Sequence, residues 1–376
     1  STDTARYGTE YTYSLAGFLV KVVDPETKDT GDPQKYTYQY EYNQYGETTS
    51  ATNGESEKTE YEYDSGGRLV KVTDPLGAET SYTYDKAGNK LTMTDGMQNK
   101  TWYTYGDFGM MSSTANHDRI GQFYRYDLAL NTVAFIDRNG NYVLYDYDQR
   151  NLLTSKTAQE TGDSISYGYD EAGNRACMED GSGTYTYNYD QVGRLYEIEK
   201  SGQMQISYTY DDIGNIASVT DKKGFSTSYT YDKSSRMLTA SYTAGGTSKT
   251  IIYSYDDNGN RELLTYQGGV KEQYTYDKNN RLLTLTNKKP DGSIISSYAY
   301  TYDLAGREKT KTDGYGTTTY CYDGAGRVSR VEAPGRTAVY GYDDAGNRRS
   351  LTQTHSSDQS SGYVDEATGS DILYRM

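Results

Sequence analysis

Hydrophobic and polar residues alternate along most of the chain, with a period of two inside short runs and a longer period from one run to the next. In Ser81-Tyr82-Thr83-Tyr84 an aromatic residue occupies every second position, which predicts a β-strand with both tyrosines on one face. Asp85-Lys86-Ala87-Gly88-Asn89 follows. An aspartate able to bond backbone amides and a glycine able to take positive φ predict a type I turn closed by a glycine bulge. Leu91-Thr92-Met93-Thr94 reads as the returning strand, and Asp95-Gly96 as a second turn toward Trp102-Tyr103-Thr104-Tyr105. A unit of two strands and two tight turns is too short to hold a helix as well.

This unit recurs. Tyr-x-Tyr marks sixteen copies of the unit, and its second tyrosine, here the marker, falls at Tyr13, Tyr42, Tyr63, Tyr84, Tyr105, Tyr126, Tyr147, Tyr169, Tyr189, Tyr210, Tyr231, Tyr255, Tyr276, Tyr302, Tyr322 and Tyr342. Eight of the fifteen gaps are 21 residues and four are 20 or 22; gaps of 29, 24 and 26 read as short insertions. A fixed period overrides any domain count made from length, because it means one small unit stacked many times. Residues 1–349 are therefore expected to form one array of about sixteen repeats, with 350–376 as a Ser-rich tail.

The repeat signature is structural in type. It is carried by Tyr63, Asp64 and Gly67; Tyr84, Asp85 and Gly88; Tyr169, Asp170 and Gly173; Tyr189, Asp190 and Gly193; Tyr210, Asp211 and Gly214; Tyr302, Asp303 and Gly306; Tyr322, Asp323 and Gly326; and Tyr342, Asp343 and Gly346. Asp follows the marker in thirteen copies, Gly stands at the turn in twelve, and Arg or Asn comes next in twelve. Asn151 and Asn280, the next best residues for positive φ, replace the glycine in two copies. Leu130 and Ser235 depart from the rule and predict locally altered turns. The prolines lie in or beside turns, as in Asp74-Pro75-Leu76-Gly77, where they do least harm to a ladder.

Sixteen such units give about 32 strands, which at ~4.8 Å each would make a flat sheet roughly 150 Å long. Open twisted sheets rarely exceed about ten strands without curling or closing. The fold class expected is all-β: tandem β-hairpins in a continuous, curled antiparallel sheet, either a spiral shell or a partial barrel. Tyrosines of successive repeats would stack as ladders, with hydroxyls served by water or polar neighbours in a hydrated interior.

Composition sharpens that picture. Hydrophobic residues make up only 34% and mean hydropathy is -0.91, a balance that would suggest disorder were it not for 45 tyrosines. Tyrosine is expected to supply the core that Leu, Ile and Val do not. A net charge of -15 disfavours nucleic acid and anionic membranes. No run of 18 apolar residues predicts a membrane span, and Ser1–Glu10 lacks the apolar core of a signal peptide. Cys177 and Cys321 read as free, semi-buried thiols.

At Tyr84-Asp85-Lys86-Ala87-Gly88-Asn89, Tyr189-Asp190-Gln191-Val192-Gly193-Arg194-Leu195 and Tyr342-Asp343-Asp344-Ala345-Gly346-Asn347-Arg348 the chain resembles the Rhs/YD-repeat family, from about Tyr11 to Arg349. That family includes polymorphic toxins, the C components of insecticidal toxin complexes, and teneurins. The resemblance implies a β-hairpin ribbon spiralling into a hollow shell, around a C-terminal toxic domain in the toxin members and for extracellular recognition in teneurins. Toxin members sever that domain by an aspartate-dependent core block with an Asp-Pro-x-Gly-like end. Here Tyr363-Val364-Asp365-Glu366-Ala367-Thr368-Gly369 only faintly resembles the start of such a core, and no cleavage motif follows. The expectation is a repeat segment without the self-cleaving core or toxin domain, its last residues a tail or the start of a truncated core.

No candidate chemistry outweighs a structural reading. Asp74-Pro75-Leu76-Gly77 matches Asp-Pro-x-Gly but sits at a second turn, and Asp64-Ser65-Gly66-Gly67 imitates a nucleophile loop at a standard first turn. His117 and His355 are isolated. Asp256-Asp257-Asn258-Gly259-Asn260 lacks the loop length and distal Glu of a calcium hand. No catalytic residue, metal or cofactor is expected. The function expected is a non-enzymatic shell segment of a secreted or surface, bacterial, polymorphic-toxin-like protein, whose partner is the C-terminal toxin or cargo polypeptide of its own chain. The alternative is an extracellular adhesion or carbohydrate-binding module in which the tyrosine faces stack on glycans.

Overall fold

The structure, a computed structural model, describes residues 8–29, 31, 35–244 and 247–355 and the strand Tyr363–Val364. Most of the expected Ser-rich tail lies outside the described residues; the last strand of the array runs Arg348–His355. The molecule is all-β, with every registered strand pair antiparallel and 33 strands in one sheet. Two compact units are distinguished. Unit 1 gathers Ser1–Lys100, Asp256–Glu262 and Glu272–Met376; unit 2 gathers Thr101–Tyr255 and Leu263–Lys271.

Within each unit the strands whose pairing is registered lie beside their neighbours in sequence. In unit 1, Lys58–Tyr63 pairs Leu69–Thr73, which pairs Glu79–Tyr84. In unit 2, Gln203–Tyr210 pairs Ile216–Asp221, which pairs Ser226–Tyr231. The marker tyrosine closes each hairpin at a bulge. Glu62 faces Lys71 but Tyr63 faces Leu69, so the returning strand carries one extra residue.

The two faces differ. Tyr61 and Tyr63 stand on one face with Val72 and Leu69 opposite them. The residue between the tyrosines points the other way, and there hydroxyls pair across the strands: Thr83–Thr92, Thr230–Thr239 and Thr301–Thr310 lie 2.6–2.7 Å apart. Aspartate serves once, accepting Ser155 Oγ on Asp146 at 2.6 Å.

The tyrosine-filled core expected from composition is not present as a sealed interior. Among the described residues the deeply buried apolar side chains are small or few (Ala134, Ala240, Leu264 and Ala338), and the largest side chain below 2% exposure is Ser50. A single-layer sheet has no second layer to press against, so most tyrosines remain half-buried.

The insertions are resolved individually. The 29-residue gap holds a five-residue helix, α1 (Pro25–Asp29), an element not anticipated for so short a unit. Asp24 Oδ1 accepts the Thr27 amide at 2.7 Å and Pro25 occupies the first helical position, a standard helix start. The gaps of 24 and 26 instead lengthen hairpins, Met237–Ala244 with Thr247–Tyr255 and Leu282–Lys288 with Ile294–Tyr302.

Candidate functional site

Where aspartate follows the marker tyrosine, it holds the first turn of the repeat. Asp64 Oδ1 accepts the amides of Gly66 and Arg68 at 2.9 and 3.0 Å, and Gly67 N donates to the Asp64 carbonyl at 3.0 Å. Gly67 adopts φ 76°, closing the bulge. The remaining carboxylate oxygen, Oδ2, takes the next signature residue, either Arg68 Nε at 2.7 Å or, one repeat on, Asn89 Nδ2 at 2.9 Å on Asp85. This explains the Arg-or-Asn preference, since both reach back four residues with an N–H.

The hydrogen bonds leave these carboxylates more acidic than usual. Asp64 lies below its ordinary value of 3.8 chiefly through Arg68, and Asp85, Asp170 and Asp211 through Asn89, Asn174 and Asn215. The turns at Leu130 and Ser235 are not altered, contrary to expectation. Both residues adopt positive φ, 67° and 58°, and both keep the backbone bond to the turn aspartate. Bonds from Asp127 and Asp232 hold the same geometry at the cost of a strained residue.

Repeats are linked by the marker tyrosines. Tyr84 Oη donates to the Leu69 carbonyl at 2.7 Å, and Leu69 is the residue that faces the marker of the preceding repeat. The same bond is made by Tyr42, Tyr63, Tyr276, Tyr302, Tyr322 and Tyr342 in unit 1. Tyr126, Tyr147, Tyr169, Tyr189, Tyr210, Tyr231 and Tyr255 make it in unit 2. Backbone carbonyls, rather than interior water, satisfy these hydroxyls. Burial raises several markers above the ordinary tyrosine value, among them Tyr63, Tyr231 and Tyr322.

Ring-on-ring ladders do not account for the stacking. Phe18, in the place that arginine fills in other repeats, lies on Tyr42 at 5.1 Å, and the repeated partner of the marker ring is the preceding repeat's arginine. Arg68, Arg194, Arg236, Arg281, Arg307 and Arg327 stand 4.5–5.1 Å from the ring centroids of Tyr84, Tyr210, Tyr255, Tyr302, Tyr322 and Tyr342.

In unit 1 the ribbon also touches itself edge to edge. Second turns of the first four repeats meet first turns twelve repeats later. Around α1, Glu26 accepts the Lys278 amide at 2.8 Å and Asp29 pairs with the Lys278 ammonium. In the next repeat Glu55 accepts the Leu304 amide at 2.7 Å, and both Glu57 oxygens accept from Arg307 Nη1 at 3.0 and 2.9 Å. Arg307 keeps Asp303 at 2.7 Å through Nε, with only 20% of its side chain exposed and 15% of that of Glu57. Burial works against the Arg307 charge, yet Asp303 and Glu57 outweigh it and hold the guanidinium above its ordinary value. Pro75 and Leu76 then meet Gly324, and Gly96 meets Asp344.

A cleft of about 310 Å³ follows this contact, lined by Tyr38, Thr52, Glu57, Pro75, Arg307 and Gly324. A smaller one of about 130 Å³ lies by Asp24, Glu26, Asn279 and Arg281. Neither gathers an acid, base and nucleophile. Both Asp256 oxygens are bound to the turn residues Asn258 and Asn260, and no cluster of three metal-ligating side chains occurs among the described residues. Asp74 Oδ1 likewise holds the Leu76 and Ala78 amides. His117 pairs with Asp118 in an exposed turn; Cys177 is half-buried, but Cys321 is exposed, and both are free thiols. The edge contacts were not found by sequence reading, and the one signal that could have pointed to them is the crowding of acids at Asp24, Glu26, Asp29, Glu55 and Glu57.

The RHS Repeat family matches residues 42–78, 63–96 and 210–248. No curated protein sequence matches the chain. Among solved structures, the crystal structure of TcdB2-TccC3 without its hypervariable C-terminal region is similar with a TM-score of 0.81 at 15% identity, over 95% of this chain and 22% of that one. TcdB2-TccC3-Cdc42 gives 0.61 at 14% identity over 96% and 25%, and the Photorhabdus luminescens Tc holotoxin pore 0.51 at 14% over 97% and 24%. The chain thus spans a quarter or less of these three chains. Phased hairpins, matching repeats and a shared fold lead to one conclusion: this chain carries RHS repeats at residues 42–96 and 210–248 and has the fold of part of those toxin-complex chains.

Proposed function

We propose that the chain is a non-enzymatic wall segment of a secreted bacterial protein of the toxin-complex kind, and that the wall confines a C-terminal polypeptide of its own parent chain. The observation that carries this reading is the edge-to-edge contact in unit 1. Hairpins joined only side by side make a strip with two open rims, whereas turns that meet twelve repeats on let the strip act as a continuous barrier. The links between repeats support the same role. Fourteen marker hydroxyls bond the backbone of the repeat before them, so the barrier does not depend on a solid core. No helix among the described residues is long and apolar enough to cross a membrane. The glycan-binding alternative requires exposed ring faces. Arginines cover the rings of Tyr84, Tyr210, Tyr255, Tyr302, Tyr322 and Tyr342, which leaves those faces poorly suited to stack on sugars.

The test is to express the parent chain with its C-terminal region and add protease. Containment predicts that the region survives far longer than the same segment produced alone. Equal digestion rates would refute it.

A further inference from the structure

Three of the edge contacts in unit 1 share one geometry: a glycine on one turn receives a larger group from the other. A Cβ on Gly54 would lie 2.5 Å from the Leu304 carbonyl oxygen and 2.9 Å from its Cβ. One on Gly96 would lie 2.1 Å from the Asp344 oxygen, and one on Gly324 would lie 2.9 Å from Leu76 Cδ2. The notch therefore changes sides, being on the second-turn edge at Gly54 and Gly96 and on the first-turn edge at Gly324.

Turn geometry does not call for glycine at these places. None of the three has a left-handed φ. The position of Gly54 and Gly96, directly after the turn Asn53 or Asp95, is filled by Arg138 after Asp137 and by Lys222 after Asp221, in turns with the same backbone bonds. Space, not conformation, keeps Gly54 and Gly96 small.

We propose that these alternating notches and knobs, with the Glu57–Arg307 pair among them, form a recognition code by which the first four repeats select repeats thirteen to sixteen and no others. A slip of one repeat would set Pro75 and Leu76 against Leu304 or Asp344 instead of Gly324, a knob against a knob. It would also leave Gly54 facing Lys278 or Gly324. Since nearly identical hairpins could otherwise pair in several registers, the code is what makes a twelve-repeat offset unique. The lock would operate whether or not the wall surrounds a cargo.

The full chain tests it. Gly54→Ala and Gly96→Ala should each raise the rate of proteolytic cutting at their own edge by roughly tenfold, because cutting follows the opened population. Gly314→Ala is the control: that glycine also follows a second-turn aspartate, but nothing lies within 4 Å of its Cβ position, and its rate should stay within about twofold. Gly324→Leu and Leu76→Gly should each loosen the edge, and the double exchange, which moves the knob to the opposite turn, should return the rate to within about threefold of the parent. Equal effects at Gly54 and Gly314, or additive losses in the double exchange, would overturn the code and leave the glycines as turn residues only.

Discussion

Arg68 and Arg307 occupy the same place in their repeats and behave alike up to a point. Each gives Nε to its own turn aspartate and stands over the next marker ring. They differ at Nη1. Arg68 donates to the carbonyl of Asp85 in the next repeat, whereas Arg307 reaches the carboxylate of Glu57, 250 residues away. One signature residue thus serves as a link along the ribbon where its edge is open and as a clasp across edges where a second turn meets it. The repeat sets the arm, and the neighbouring turn decides what it holds.

That contrast can be broken directly. Arg307→Ala strips a carboxylate pair of its cation in a mostly buried place, so a loss of about 2–3 kcal/mol is expected in urea unfolding. Arg68→Ala, at a side chain 37% exposed, should lose no more than about 1 kcal/mol. Equal losses would show that the edge clasp adds nothing to the repeat's own turn.

Tyr84→Phe and Tyr322→Phe each remove a hydroxyl bonded to the preceding repeat and should cost about 1 kcal/mol at either place, because that link is independent of the edge. Hydrogen exchange at the Leu69 and Glu308 strands would report it, and protection unchanged in both variants would remove the tyrosine link from the account. Leu130→Gly relieves a left-handed leucine and should stabilise unit 2 by about 0.5–1 kcal/mol, the reverse of a core mutation. A destabilised variant would mean that the leucine side chain matters more than its backbone.

The smallest effect per site is that of pH, spread over many turns. Asp64, Asp85, Asp170 and Asp211 lie below their ordinary value of 3.8 when folded, so their contribution is present above that value and lost as pH falls through the folded one. Burial lifts the markers Tyr63, Tyr231 and Tyr322 above 10, so their contribution is present below pH 10 and lost as pH rises through the folded value. Stability should form a plateau bounded by acid loss below about pH 4 and alkaline loss above about pH 10. Replacing Asp64 and Asp85 by Asn should soften the acid limb, and a limb that does not move would point to other carboxylates.

Much of this was legible in the chain. Alternation at Tyr82 and Tyr84 predicted the strand, and Asp85 with Gly88 predicted the turn, because these depend on residues within five positions of one another. The Arg-or-Asn preference was visible as a count, but its cause, a reach back to Asp64 or Asp85, was not. Leu130 looked like a broken turn because propensity argues against left-handed leucine. Two amides bonded to Asp127 outweigh that preference.

The sequence by itself determined the hairpin, its bulge and its sixteenfold repetition, since strand pleat and turn chemistry are local and each copy states them again. Only the tertiary structure decided where the tyrosine hydroxyls go, which cations cover the rings and which turns meet across the edge. Those choices join residues one repeat apart or about 250 residues apart. A period of 21 is the same at every register, so only the fit of individual side chains, Gly54 to Leu304 and Glu57 to Arg307, selects among them.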